Sequence, residues 1–301
     1  MAVYKKTYSR YDGPLTATWS RFTVLPRYII EDMYRSRILA ILSVVSMVWP
    51  LLGAVAIYLN HNLSVLKLAN LQTQGKLFEI DDRFFLLYMG FQSLLSFIMT
   101  SFVGPGLVSS DLANNALPLY LSRPFSRTEY VLGKLSVLVF LLSAMTWIPG
   151  LLLFLLQGYF EGQGWMGNNL HLARALFVGF CVWILVLGFL ALAISAWVKW
   201  KHVATAMLFL VFFAGAAFAE AVENTLRSQW GNVVNISFLI GQVWGALFGQ
   251  LKDSRTGAVF FGARRGDQLP LWVCCVALAA ICGFCIYLLS VRIRGAEEVK
   301  S

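Results

Sequence analysis

Apolar residues in this 301-residue chain gather into long unbroken runs instead of alternating with polar ones. Six runs stand out, at 38–59, 84–108, 131–156, 172–198, 203–219 and 271–291. About 20 apolar residues at 1.5 Å per residue cross the roughly 30 Å hydrocarbon layer of a bilayer, and each run meets or approaches that length. The pattern predicts an all-α, polytopic membrane protein with six transmembrane helices over 38–291, the fifth being the shortest. The first run begins only at Ile38 with no small-residue cleavage site behind it, so a retained helix is expected, not a cleaved leader.

The segments between the runs follow other periods. Trp19, Phe22, Leu25, Ile29 and Met33 recur at spacings of three and four, with Arg21, Arg27, Arg35 and Arg37 around the stripe and Asp12-Gly13-Pro14 before it. Residues 1–37 therefore form an N-terminal segment with an amphipathic interfacial helix, either a surface anchor or a lever that touches a partner. Residues 220–270 form an outer segment. Glu220 and Glu223 close the fifth run, and 233–251 is amphipathic, with Ile236, Ile240, Val243, Leu247 and Leu251 on one side and Asn235, Gln242 and Gly249 on another. A re-entrant or interfacial helix fits better than a seventh span, which would send the two termini to opposite sides. Lid and inert packing both remain open for it.

Composition agrees with the runs. Apolar residues make up 58% of the chain and charged residues 13%, about half the usual charged share of a soluble domain. The mean hydropathy is +0.69. The net charge of +9 reads as topology and not as nucleic-acid binding. Fifteen of the 24 Lys and Arg residues lie on the side of the two termini, in 1–37, the second-to-third and fourth-to-fifth connections and the 292–301 tail, together with Lys134 at the start of the third run. That side is expected to be cytoplasmic. Inside the runs the ionisable residues are Lys134 and Arg174, each near an end. Pumps and proton-driven transporters place such groups at membrane depth, so energy for active transport is expected from elsewhere.

Helix breakers interrupt the runs at Trp49-Pro50, Gly104-Pro105-Gly106 and Ile148-Pro149-Gly150. They are packing kinks or hinges. Cys274, Cys275, Cys282 and Cys285 share the last run with no His or carboxylate, which reads as packing; no metal or other cofactor is expected.

The connection at 109–130 carries the most local detail. Ser126 and Glu129 fit a capping box at the start of the third helix, with Phe125 and Tyr130 placed as a hydrophobic staple. Before them Leu117, Leu119, Tyr120 and Leu121 make an apolar patch beside Arg123 and Arg127, the form of a docking surface. The run Asp111, Leu117, Leu119, Leu121, Ser122, Arg123, Pro124, Ser126, Arg127, Gly133, Lys134 resembles the first intracellular loop of ABC-2 type permeases, the membrane subunits of ATP-binding cassette exporters. The departure is Asn115-Ala116, where that family usually has Gly-Thr. Asn tolerates the left-handed conformation a turn there would need.

The resemblance implies a coupling helix in this loop. On it Asp111, Asn115, Leu117, Leu119, Leu121, Ser122, Arg123, Pro124, Ser126 and Arg127 would meet a cytoplasmic ATPase, present in two copies against a homodimer of this chain. It also implies a bacterial inner membrane. No Gly-x-x-x-x-Gly-Lys-Ser/Thr phosphate loop occurs in the sequence, so the expected protein is a permease subunit and not itself an ATPase. A passive channel or a membrane scaffold docking a cytoplasmic partner are the alternatives. Uncharged, aromatic-rich spans favour a lipid, glycan or hydrophobic substrate over a small ion.

Overall fold

The computed structural model describes residues 28–29, 31, 35–62, 80–114, 127–249 and 269–298. Among these residues all regular structure is helical, and six helical stretches are long and apolar enough to cross a membrane. The protein is an all-α polytopic membrane protein. The first span is Arg37–His61, the second Asp82–Ala113, the fourth Leu170–Trp197 and the fifth Lys201–Leu226. The third is two helices, Arg127–Met145 and Trp147–Glu161, broken at Thr146. The last helix, Leu271–Glu298, supplies the sixth span. The amphipathic segment expected before Arg37 lies almost wholly outside the described residues.

The fourth span is the centre of the bundle. Leu172, Leu176, Phe180, Trp183, Leu187 and Ala191 recur at spacings of three and four along it, and all are buried. The first span sits at the edge, with Ile41, Val44, Val48, Leu51 and Val55 exposed on one apolar face that a bilayer would cover. Second and fourth spans pack closely at Gly104, where an added Cβ would stand 2.8 Å from the Ala191 Cβ. At the far end His61 faces Glu161 at 3.3 Å and His171 faces Asp82 at 3.2 Å, tying first to third and second to fourth span.

The three prolines share one arrangement. A proline lacks the N–H that its helix would donate to the carbonyl four residues earlier, and in lipid a bare carbonyl is costly. Pro50 opens Ser46 O, Pro105 opens Ser101 O and Pro149 opens Met145 O. Gln92 in the second span donates one amide proton to Ser46 O at 3.0 Å and the other to Met145 O. The Thr205 hydroxyl of the fifth span lies 3.0 Å from Ser101 O and 3.1 Å from Lys201 O, sharing its proton between them. Each opened carbonyl thus has a side-chain donor from a neighbouring helix. Pro50 and Pro105 lie inside continuous helices, and of the three sites only the third span breaks, at Thr146.

Two expectations change in the outer segment. The fifth span was expected to be the shortest, yet its helix is 26 residues long because it continues through Glu220 and Glu223 beyond the apolar run. It stops where Arg227 takes the left-handed conformation, φ 49°. The amphipathic stretch expected as one helix from 233 divides instead. Gln229–Val234 is a 3-10 helix, and Asn235, expected on a polar helix face, is the N-cap of Ile236–Leu247. Its side chain accepts from Phe238 N at 3.2 Å, the contact for which Asn is favoured at a cap.

That 12-residue helix is too short to cross a bilayer and is packed into the bundle by Ile236, Leu239, Ile240, Val243 and Trp244. The Trp244 indole donates to Gly179 O at 3.0 Å, and a Cβ on Gly179 would lie 2.6 Å from the Met89 Cε and 3.1 Å from the indole. Gly179→Leu is therefore expected to unseat the helix and lower stability by about 1–3 kcal/mol, the usual range for overpacking. Gly179→Ala should cost less, because Met89 ends in a flexible methyl. A thermal melt of the purified variants checks the order; equal midpoints for Leu and Gly would refute the seating.

Candidate functional site

The second and third spans end side by side at the basic end of the bundle, and the connection between them starts and finishes there. The second span ends at Ala113 with Asn114 as its C-cap, and the third starts at Arg127 with Glu129 in its first turn. Asp111 lies in the last turn of one helix. Tyr130 and Lys134 lie four residues apart on one face of the other.

These three side chains meet on a single oxygen. Lys134 Nζ is 2.8 Å from Asp111 Oδ2, and the Tyr130 hydroxyl donates to the same Oδ2 at 2.7 Å. The Lys134 ammonium also stands 5.6 Å from the centre of the Tyr130 ring, a cation–π distance. The pair is largely removed from solvent, with 5% of the Lys134 side chain and 13% of the Asp111 side chain exposed. A carboxylate in the last turn of a helix faces the negative pole of that helix and gains nothing from it. Asp111 is therefore held by the neighbouring helix, through a charge-assisted bond and a phenol.

The result is a fastening at both ends of the loop. A displacement of the loop must move the two spans together or break a buried ion pair. Of the residues expected to form the docking loop, Asp111 is at this junction and Arg127 begins the third span. Asn115, Leu117, Leu119, Leu121, Ser122, Arg123, Pro124 and Ser126 lie outside the described residues, and so does the Ser126 half of the capping box with Glu129. Tyr130 was read from sequence only as a staple; its hydroxyl is the part that reading missed. The signal was the four-residue spacing to Lys134, which places both on one helical face.

A second set of contacts lies one turn or two toward the membrane from Asp111. The Ser195 hydroxyl of the fourth span accepts from Val108 N at 3.1 Å and Ser109 N at 2.9 Å, and donates to Pro105 O at 2.7 Å. Ser109 also donates to Pro105 O through its own hydroxyl. The Lys201 stem passes Gly106, 3.8 Å from where a Cβ would stand. Among the described residues no group of three or more His, Cys, Asp or Glu is placed to hold a metal ion.

Comparison with known proteins places this architecture. The family model described as ABC-2 family transporter protein matches residues 83–249, more than half of the chain, and the chain belongs to that family. The match runs from the start of the second span to the end of the packed outer helix, and so includes both sides of the Asp111–Lys134 junction. A search of the curated proteins found no match. The protein is thus an integral, multi-pass membrane protein and a permease of an ABC transporter, a class that works with an ATP-binding cassette subunit.

Proposed function

We propose that this chain is the pathway-forming subunit of an exporter, driven by ATP hydrolysis on a separate cytoplasmic ATPase that docks on the 109–130 loop. Two copies of the chain would enclose the pathway and two ATPase subunits would drive it, in a bacterial inner membrane with both termini inside. The observation that carries the reading is the buried Asp111–Lys134–Tyr130 junction at the two ends of the loop. A loop that only set topology would have no need of a buried ion pair joining the helices it connects. A docking loop that must deliver a push to both helices does. Export, and not uptake, follows the resemblance of the loop to that of ABC-2 exporters.

Docking is tested by purifying the permease from its native membrane and identifying the ATP-binding cassette ATPase that comes with it. Leu121→Asp with Arg123→Asp inverts the chemistry of the apolar, basic-rimmed patch, and the expected outcome is loss of the ATPase from a pull-down with the membrane protein still folded. Vanadate-sensitive ATP hydrolysis by the intact complex is expected alongside. Unchanged capture by the double variant would count against the docking loop, and a chain that purifies alone and conducts in liposomes would favour a passive channel.

A further inference from the structure

A helix interrupted by Gly104-Pro105-Gly106 is a poor lever. Pro105 removes one rung of the ladder, and glycines on both sides remove the side chains that would stiffen the joint. A push arriving at Asp111 would bend the second span there, and little of it would travel further into the bundle. The structure closes that escape with side chains of two other spans.

The Ser195 hydroxyl has one proton and two lone pairs, and all three are engaged at the proline: Pro105 O accepts, and Val108 N and Ser109 N donate. The 106–113 arm, which carries Asp111, is thereby bonded to the fourth span on the loop side of the proline. Thr205 of the fifth span bonds to Ser101 O on the other side of the proline. Ala191, one turn before Ser195, meets Gly104 at close range. Gly104 thus allows the helices near enough for the serine to enter the backbone of its neighbour.

We propose that Ser195 is a positioning residue of the transport cycle, pinning the 106–113 arm to the fourth span so that displacement of the 109–130 loop is delivered to the fourth and fifth spans. This rests on the ATP-coupled reading above. Thr205 of the fifth span holds the second span on the other side of the proline, at Ser101 O. The chemistry is specific to a small hydroxyl: Ala loses all three bonds, whereas Thr keeps the hydroxyl at the cost of one methyl.

The test uses the permease–ATPase complex in nanodiscs, cysteine-free apart from paired spin labels. One pair, at the exposed Ser110 and Ile38, reports movement of the loop end of the second span against the first; a second, at the exposed Leu185 and Leu52, reports movement of the fourth span against the first. ATP with vanadate is expected to shift both distances in the unsubstituted complex. In Ser195→Ala the loop pair should still shift, while the shift of the fourth span falls by roughly threefold or more. Ser195→Thr should restore it. A merely structural serine would change the melting midpoint and leave the ratio of the two shifts alone. Should Ser195→Ala not yield folded complex, Gly104→Ala, whose added methyl pushes Ala191 and with it Ser195 away from the second span, is read in the same way. A Ser195→Ala complex that keeps both shifts overturns the proposal. A normal complex in which neither pair responds overturns the coupling reading itself, and the proposal with it.

Discussion

Lys134→Met is expected to lower the unfolding free energy by about 3 kcal/mol, the low end of what removing one partner of a buried ion pair costs. Met keeps the length and apolar stem of Lys, so packing is little changed and the loss falls on Asp111. That carboxylate would keep the Tyr130 hydroxyl at 2.7 Å but lose its cation, with 13% of its side chain exposed to water for relief. Asp111→Asn should be milder, because an amide oxygen still accepts from both Tyr130 and Lys134. The two single variants share one interaction, so the double variant should cost about 1–3 kcal/mol less than their sum. Thermal or denaturant unfolding in detergent measures all three. Strict additivity would mean that the loop ends are held by something other than this pair. The same variants should weaken capture of the ATPase while leaving Leu121 and Arg123 unaltered, which separates loss of fastening from loss of the docking surface.

The membrane spans were legible because lipid imposes a length and a polarity on any helix that crosses it, and 84–108 or 172–198 can be read from hydropathy alone. The ends were less so. The fifth helix continues past Ala219 through polar residues that hydropathy ignores, and Asn235 was counted on a helix face when its short amide makes it a cap. At the candidate site, Asp111 and Lys134 came from the resemblance to a known loop and not from any local rule. Their contact spans 23 positions of sequence, and Tyr130 joins them through a hydroxyl that a reading for hydrophobic staples sets aside. The prolines were visible at once, but the donors that serve the carbonyls they open lie far away in sequence. Gln92 lies 46 residues from one carbonyl it serves and 53 from the other, Thr205 lies 104 from Ser101, and Ser195 lies 90 from Pro105. Periodicity has no access to pairings of that range.

The sharpest consequence concerns Gln92, a fully buried amide in the second span. Its two protons go to Ser46 O and Met145 O, the carbonyls that Pro50 and Pro149 leave without helical donors, and among the described residues its own Oε1 has no partner. One side chain thus repairs two helices and joins the first, second and third spans at one point. Gln92→Met preserves the volume and removes both donors, and is expected to cost about 2–4 kcal/mol, since each stranded carbonyl loses a bond that lipid does not replace. The cause can be isolated by restoring one missing backbone donor. In a Pro50→Ala background residue 50 regains its N–H group, so Ser46 O is served within its own helix, while Met145 O, the last carbonyl before the break at Thr146, still depends on Gln92. There Gln92→Met should cost about 1–2 kcal/mol less than in the unsubstituted chain, a non-additivity that a shared partner produces. An equal cost in both backgrounds would show that Gln92 stabilises the bundle by packing, and that Ser46 O is served by other means.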